Sequence, residues 1–129
     1  MSEAGILCVD DEITILDSLK EQLFRCFGDR YLVEVASSAT EALEVMEELQ
    51  EDGVKVLIIV SDWLMPGIKG DEFLIKVHQQ YPEIVTVMLT GQADEAAVER
   101  ARKEAQLYAC LHKPWTETEL TQVITSALK

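Results

Sequence analysis

Long hydrophobic runs are missing from this sequence of 129 residues. No stretch approaches the roughly 20 apolar residues that a membrane span requires. The apolar run Ile6–Val9 is too short, and its flanks are too acidic, to form a signal peptide. We therefore expect a soluble, cytoplasmic protein with no membrane partner. Hydrophobic residues make up 48% of the chain, enough for one core, so we expect a single domain over residues 1–129.

Cysteine is also scarce, and its pattern excludes two kinds of site. Cys8, Cys26 and Cys110 are odd in number and widely spaced. They form no Cys-x-x-Cys pair and no recognisable metal-ligand pattern with His78 or His112. The spacing disfavours a zinc site or a disulfide framework. We predict that the three side chains are small buried hydrophobes.

Basic residues are outnumbered, with 11 Lys and Arg against 24 Asp and Glu, for a formal charge of −13. Such a surface repels DNA, RNA and anionic lipid unless one face is locally basic. Direct nucleic-acid binding by this chain is therefore disfavoured.

Apolar β-prone runs alternate with segments of helical periodicity, which is typical of βαβ units around a parallel sheet. Five strands are predicted at about Ile6–Val9, Tyr31–Ala36, Val54–Ser61, Ile84–Leu89 and Leu107–Leu111. Five helices follow them, with core-facing stripes at Ile13, Leu16, Leu19, Leu23 and Phe24; at Ala39, Leu43, Met46 and Leu49; at Phe73, Leu74 and Val77; at Ala97, Val98 and Ala101; and at Leu120, Val123, Ile124 and Leu128. Right-handed crossovers favour an open, doubly wound α/β sheet, whose ligands lie beyond the carboxyl ends of the strands.

Polar residues that could bind a metal or take part in a reaction stand just past four of the predicted strands. Asp10 and Asp11 follow the first, Asp62 the third, Thr90 the fourth and Lys113 the fifth. Three carboxylates at one edge repel one another and call for a neutralising cation. Oxygen ligands with room for water and phosphate favour Mg²⁺.

A carboxylate beside such an ion is a plausible nucleophile towards phosphorus, and Asp62 is our candidate. The Lys113 ammonium and the Thr90 hydroxyl suit the gripping of phosphoryl oxygens. Simpler explanations exist for each residue alone. Asp10 and Asp11 with the following Glu could cap the first helix, Asp62 could be a turn residue, and Thr90 could cap the fourth helix.

Four motifs in this order give the sequence a close resemblance to receiver domains of bacterial two-component response regulators. They are Val9-Asp10-Asp11-Glu12, Ser61-Asp62-Trp63-Leu64-Met65-Pro66-Gly67 followed by Gly70, Leu89-Thr90-Gly91, and Lys113-Pro114-Trp115. The resemblance covers essentially the whole chain. It implies a flavodoxin-like doubly wound sheet of five parallel strands, in the order 2-1-3-4-5, with five helices.

The resemblance also implies a magnesium site. By motif, Asp62 is similar to the phosphoacceptor and Asp11 to the direct Mg²⁺ ligand. Asp10 resembles the acid that acts mainly through metal-bound water. The backbone carbonyl two residues past the phosphoacceptor, which the family uses as a third protein ligand, belongs here to Leu64.

Two further roles follow from the resemblance. Thr90 is similar to the switch hydroxyl that moves towards the phosphoryl group, and Lys113 to the lysine that binds it. The family has a cis bond after this lysine, which predicts a cis Lys113–Pro114 bond.

The chain departs from the family pattern at two places. Where the family commonly has Tyr or Phe three residues before the lysine, this chain has Cys110, with Tyr108 two positions earlier, so aromatic gating is in doubt. The side chains that tune phosphoryl lifetime would be Leu64 and Gln92. Leu64 cannot hydrogen-bond an attacking water, whereas Gln92 could orient one, so we predict slow to intermediate autodephosphorylation.

The implied function is a switch in two-component signal transduction. A sensor histidine kinase, a phosphotransfer protein or a small phosphodonor would phosphorylate Asp62. The change would then reach a downstream effector, or a homodimer partner, through the face formed by the fourth helix, fifth strand and fifth helix. We expect no enzyme in the usual sense, since no separate substrate is turned over.

Three other functions compete with this interpretation. A phosphorylation-independent pseudo-receiver, acting as a protein-binding module, is the main alternative. A haloacid-dehalogenase-type phosphohydrolase would need a second Asp two residues after the nucleophile, where this chain has Leu64. A nicotinamide or flavin binder would need a Gly-x-Gly-x-x-Gly after the first strand, and none follows it.

Overall fold

The computed structural model describes residues 3–65, 67–91 and 95–129. Strands and helices alternate along the chain. The strands are β1 (Glu3–Val9), β2 (Leu32–Ala36), β3 (Val54–Asp62), β4 (Val85–Thr90) and β5 (Ala109–His112). The helices are α1 (Ile13–Phe27), α2 (Ala39–Glu51), α3 (Gly70–Gln80), α4 (Glu95–Glu104) and α5 (Glu117–Ala127). All ten elements agree with the predicted alternation, with strand ends shifted by up to three residues.

The five strands form one parallel sheet in the order β2-β1-β3-β4-β5. This confirms the predicted doubly wound α/β fold and its strand order. The central strand β3 is fully buried from Ile58 to Asp62, which explains its almost continuous apolar sequence. Because all strands are parallel, their carboxyl ends lie along one edge of the sheet.

Helices cover both faces of the sheet and bury two core layers. On one face α1 and α5 contribute Leu16, Leu19, Leu23, Phe27, Leu120 and Ile124 to a cluster with the strands. On the other face α2, α3 and α4 contribute Ala39, Ala42, Met46, Phe73, Leu74, Val77 and Ala101. Most of the predicted core-facing stripes therefore do face the core.

Two residues of the first stripe do not. The side chains of Ile13 and Phe24 are 70% and 64% exposed, so their assignment to the core was wrong. Ile13 is the first residue of α1, and the buried positions of this helix begin only at Leu16. Phe24 directly follows the buried Leu23, and the one-residue step turns its side chain about 100° around the helix axis, out of the core.

Local capping explains where two of the helices begin. The Ser38 hydroxyl accepts a hydrogen bond from the Glu41 N–H at the start of α2. At the start of α5, Thr116 and Glu119 form a reciprocal capping box. These bonds satisfy N–H groups that the first helical turn leaves without partners.

The cysteines differ in burial. Cys8 is fully buried in β1, whereas Cys26 and Cys110 are only partly buried, and all three thiols are free. Burial raises the pKa of Cys8 to about 12, which keeps this thiol protonated and unreactive. No helix within the described ranges is long and apolar enough to cross a membrane.

Candidate functional site

Three carboxylates meet at the carboxyl edge of the sheet. Asp10 and Asp11 follow β1, and Asp62 ends β3. Each offers an oxygen within 4.8 Å of the other two. Asp10 and Asp62 are buried, while Asp11 is exposed to solvent. Closely spaced carboxylate oxygens, partly open to water, fit a hard divalent cation such as Mg²⁺.

Asp10 is held in place through both of its oxygens. Its Oδ1 accepts a hydrogen bond from the Glu12 N–H at 2.9 Å, and its Oδ2 accepts one from Lys113 Nζ at 2.8 Å. Glu12 is the N-cap residue of α1, but it makes no side-chain cap bond, and the first turn contains no acid. Helix capping therefore does not explain Asp10 and Asp11. The turn after β1 instead aims Asp10 at the site.

Lys113 joins the two buried acids. Its Nζ lies 2.8 Å from Asp10 Oδ2 and 3.1 Å from Asp62 Oδ1. The backbone N–H of Lys113 donates to the Thr90 carbonyl at 2.8 Å, which fixes the residue just past β5, and the Lys113–Pro114 bond is cis. Burial works to lower the pKa of Lys113, but its bonds to Asp10 and Asp62 outweigh it and raise the pKa. Lys113 therefore stays positively charged.

The surroundings of Asp62 raise the pKa of its carboxyl group. Burial raises its pKa, and the nearby charge of Asp10 raises it further, against the lowering effect of Lys113. The excess of negative charge is what a bound cation would relieve. A carboxylate whose pKa is raised by burial and by a neighbouring charge, and which lines a cavity, is a candidate functional group on physical grounds alone.

A tight loop after Asp62 shapes the site. The Trp63 N–H donates to the Leu89 carbonyl at 2.9 Å, and the Gly70 N–H donates to the Trp63 carbonyl at 2.8 Å. A Cβ on Gly70 would lie 2.1 Å from the Asp62 carbonyl oxygen. Only glycine therefore lets α3 begin directly against the backbone of Asp62.

The acids open into a cavity of about 610 Å³. Its lining comprises Asp11, Glu12, Asp62, Trp63, Leu64, Met65, Lys69, Gly91 and Lys113. Leu64 is 60% exposed at the rim, where its side chain can partly cover the opening. Thr90 is buried at the end of β4, next to the lining residue Gly91. The predicted role of Gln92 falls outside the described residues.

Sequence reasoning missed Lys69 and Glu12 as lining residues. Glu12 belongs to the motif Val9-Asp10-Asp11-Glu12, but no role at the site was predicted for it. Lys69 lies seven positions after Asp62, and it reaches the cavity only because the loop turns back to begin α3. No local pattern in the sequence signals that return.

Cys110 and Tyr108, the residues at which the sequence departs from the family pattern, have different surroundings. Cys110 lies in β5, and Tyr108 directly precedes that strand. Cys110 is partly buried and packs against the core on the α4 side of the sheet. Tyr108 is 47% exposed, and its hydroxyl lies 2.5 Å from the Ser126 hydroxyl on α5. The ring of Tyr108 is thus tied to α5 at the surface.

Comparison with known proteins agrees with this geometry. The family model described as "Response regulator receiver domain" matches residues 6–125. The hydrogenase transcriptional regulatory protein HoxA of Cupriavidus necator is 32% identical over 98% of this chain, and the sensor kinase CckA of Brucella abortus is equally so. The chain spans only 24% and 13% of those two relatives.

Relatives of similar length also match. A CheY homologue, a chemotaxis protein of Campylobacter jejuni, is 31% identical over 95% of this chain and 91% of its own length. The signal receiver domain of an HD domain-containing protein from Pseudomonas fluorescens Pf-5 superposes with a TM-score of 0.86, at 31% identity over 98% of this chain and 94% of that one. This chain therefore belongs to the response regulator receiver domain family and is a receiver domain of two-component signalling.

Proposed function

We propose that this receiver accepts a phosphoryl group on Asp62 in a reaction that depends on Mg²⁺. The observation that carries the proposal is the convergence of Asp10, Asp11 and Asp62 within 4.8 Å, with Lys113 bonded to two of them. The metal ligands would be these three carboxylates and the carbonyl of Leu64. When bound, Mg²⁺ supplies charge neutralisation for the acids and for the incoming phosphoryl group.

In the transfer step, a carboxylate oxygen of Asp62 forms a bond to phosphorus. The bond from phosphorus to the donor breaks, and the leaving group, an imidazole nitrogen or an acyl oxygen, takes the electron pair. Lys113 is already charged beside Asp62 and can follow the phosphoryl oxygens as they arrive. Positioning and charge stabilisation by these residues account for most of the acceleration expected in phosphoryl transfer.

The signal would then leave the site through the end of β4. Thr90 supplies a hydroxyl for a phosphoryl oxygen, and its carbonyl already accepts the Lys113 N–H. A shift of Thr90 or Lys113 would displace α4, β5 and α5, which form the proposed output face. We propose a downstream effector protein or domain, or a second copy of the chain, as the partner there. The upstream partner would be a sensor histidine kinase or a phosphotransfer protein.

In this proposal the chain is a switch and turns over no separate substrate. It promotes its own phosphorylation and its own hydrolysis. Leu64 at the rim offers water no hydrogen bond, which supports a slow to intermediate loss of phosphate.

Intact mass spectrometry after incubation with acetyl phosphate tests the proposal. We expect one phosphoryl group on the wild type with Mg²⁺, none with a chelator, and none on Asp62→Asn. Asp29→Asn, which removes an exposed carboxylate outside the site, is the matched control and should be phosphorylated normally. An unmodified wild type with both acetyl phosphate and a phosphorylated histidine kinase domain would instead favour the pseudo-receiver.

A further inference from the structure

Lys69 occupies a fixed position at the mouth of the acceptor site. It is the N-cap residue of α3, with extended backbone angles of φ −73° and ψ 158°. Its carbonyl accepts the Phe73 N–H at 2.9 Å. The next residue, Gly70, packs directly against the backbone of Asp62. The backbone of Lys69 is therefore locked one residue away from the contact with the phosphoacceptor strand.

The side chain of Lys69 is directed as well. Its Nζ lies 5.8 Å from the centre of the Trp63 ring, within the range of a cation–π interaction. Trp63 is half-buried and directly follows Asp62. Lys69 and Asp62 also line the same cavity. Lys69 is exposed, and its contact with this ring keeps the charge at the rim of the cavity.

The charge balance of the cavity gives this position a consequence. Carboxylates of Asp11, Glu12 and Asp62 line it, and Asp10 lies beneath them. The ammonium of Lys113 is already bonded to Asp10 and Asp62. An anionic phosphodonor that approaches this cavity meets a negative field. Among the described residues that line the cavity, Lys69 is the other positive charge.

We propose that Lys69 is a rim cation that draws small anionic phosphodonors of the acyl phosphate class to Asp62. The inference rests on the proposed function and adds a residue that sets the donor class. In the reaction, a carboxylate oxygen of Asp62 bonds to phosphorus while the bond from phosphorus to the acyl oxygen breaks. The carboxylate product leaves with the electron pair, and Lys69 exchanges no proton. Its charge acts on approach, and it also repels a divalent cation from the same cavity.

This dual action gives an uncommon signature. Neutralising Lys69 should weaken the attraction of an anion and strengthen the binding of a cation. A residue that merely supports the loop would shift both in the same direction, because a distorted site binds everything less well. The opposite signs therefore separate an electrostatic role from a structural one.

The test compares Lys69→Gln with Lys76→Gln, which makes the same charge change at an exposed position of α3 away from the cavity. The initial rate of phosphorylation is measured against acetyl phosphate concentration, and Mg²⁺ binding is followed by tryptophan fluorescence without donor. For Lys69→Gln we expect a second-order rate constant lower by about two- to fourfold and a Mg²⁺ dissociation constant lower by a similar factor. At about 1 M salt both differences should disappear. Lys69→Arg should behave as wild type.

Two results would overturn the inference. One is a Lys69→Gln protein whose rate constant and Mg²⁺ affinity equal those of Lys76→Gln. The other is a parallel loss of both quantities that persists at high salt. If the wild type takes no phosphate at all, the proposed function fails and this inference fails with it. If the wild type is phosphorylated but Lys69→Gln and Lys76→Gln react at equal rates, only the inference about Lys69 is overturned.

Discussion

Replacing Gly70 with alanine tests how closely α3 is packed against the phosphoacceptor. The added Cβ would lie 2.1 Å from the Asp62 carbonyl oxygen. Ordinary van der Waals contact begins at 3.4 Å, so the two atoms would be too close by about 1.3 Å. It would also lie 2.7 Å from the Trp63 Cα and 2.9 Å from the Asp62 carbonyl carbon. All three obstacles are backbone atoms, so no side chain can rotate away to make room.

The magnitude follows from this overlap. Overpacking of a closely packed site costs about 1–3 kcal/mol, and obstruction by backbone favours the upper end. For a domain of this size, about 3 kcal/mol corresponds to a fall in Tm of roughly 10 °C. Helix propensity alone predicts the opposite sign, because alanine is better than glycine by up to about 1 kcal/mol. The direction of the change therefore decides between the two effects.

Urea denaturation and thermal melting of Gly70→Ala measure the change, with phosphorylation by acetyl phosphate as a second readout. We expect the lower Tm together with a strongly reduced phosphorylation rate, since the displaced atoms belong to Asp62 itself. Gly91→Ala is the matched control for the stability measurement, because a Cβ there meets no described atom within 4 Å. A Gly70→Ala protein as stable as wild type, phosphorylated at the same rate, would refute the close approach.

Three further predictions concern the charge and cover of the site. At a hundredfold excess over its dissociation constant, Mg²⁺ should stabilise the wild type by about 2.7 kcal/mol and so raise its Tm. The rise should be much smaller for Asp11→Asn, and equal shifts in thermal melts would contradict the metal assignment. The pKa of Asp62 is raised in the folded state, so ionising it costs stability as the pH rises from its ordinary value of 3.8 through the folded value. Without Mg²⁺, Asp62→Asn should therefore be more stable than wild type at about pH 7 and lose that advantage towards about pH 4, as melts across this range would show. Leu64→Asn should lose its phosphoryl group faster than wild type, measured as decay after donor removal, and an unchanged decay would count against the role of Leu64 as a cover.

The sheet could be predicted from the sequence because parallel strands carry a simple signal. The nearly continuous apolar run of β3 follows from burial on both faces. The helices between the strands showed the periodicity of a single buried face. Strand ends were harder to predict, because the ladder continues into the polar residues Thr90 and His112, where the apolar runs have already ended.

Exposure of individual side chains was harder to predict than the elements. Ile13 fits the helical stripe by spacing, yet α1 begins at that residue and leaves it 70% exposed. Periodicity describes one helix, whereas burial depends on how far the neighbouring sheet extends. The extent of the sheet is a tertiary property, and helical periodicity in the sequence does not predict it.

The acids of the site were predictable because topology brings strand ends together. Asp10 and Asp62 are 52 positions apart in the chain, but Asp10 follows β1 and Asp62 ends the neighbouring strand β3. Lys69 was not predictable, because its place depends on a loop that folds back along Asp62 through Gly70. The bonds from Lys113 to both Asp10 and Asp62 also depend on side-chain geometry that no spacing rule provides.

The central claim is that Asp62 itself carries the phosphoryl group. Borohydride reduction after phosphorylation converts an aspartyl phosphate to homoserine, which peptide mass spectrometry can locate in the sequence. The account predicts homoserine at position 62 alone, and only when Mg²⁺ and the phosphodonor are both present. Homoserine at Asp10 or Asp11, or at no position in a protein that has gained phosphate, would contradict it.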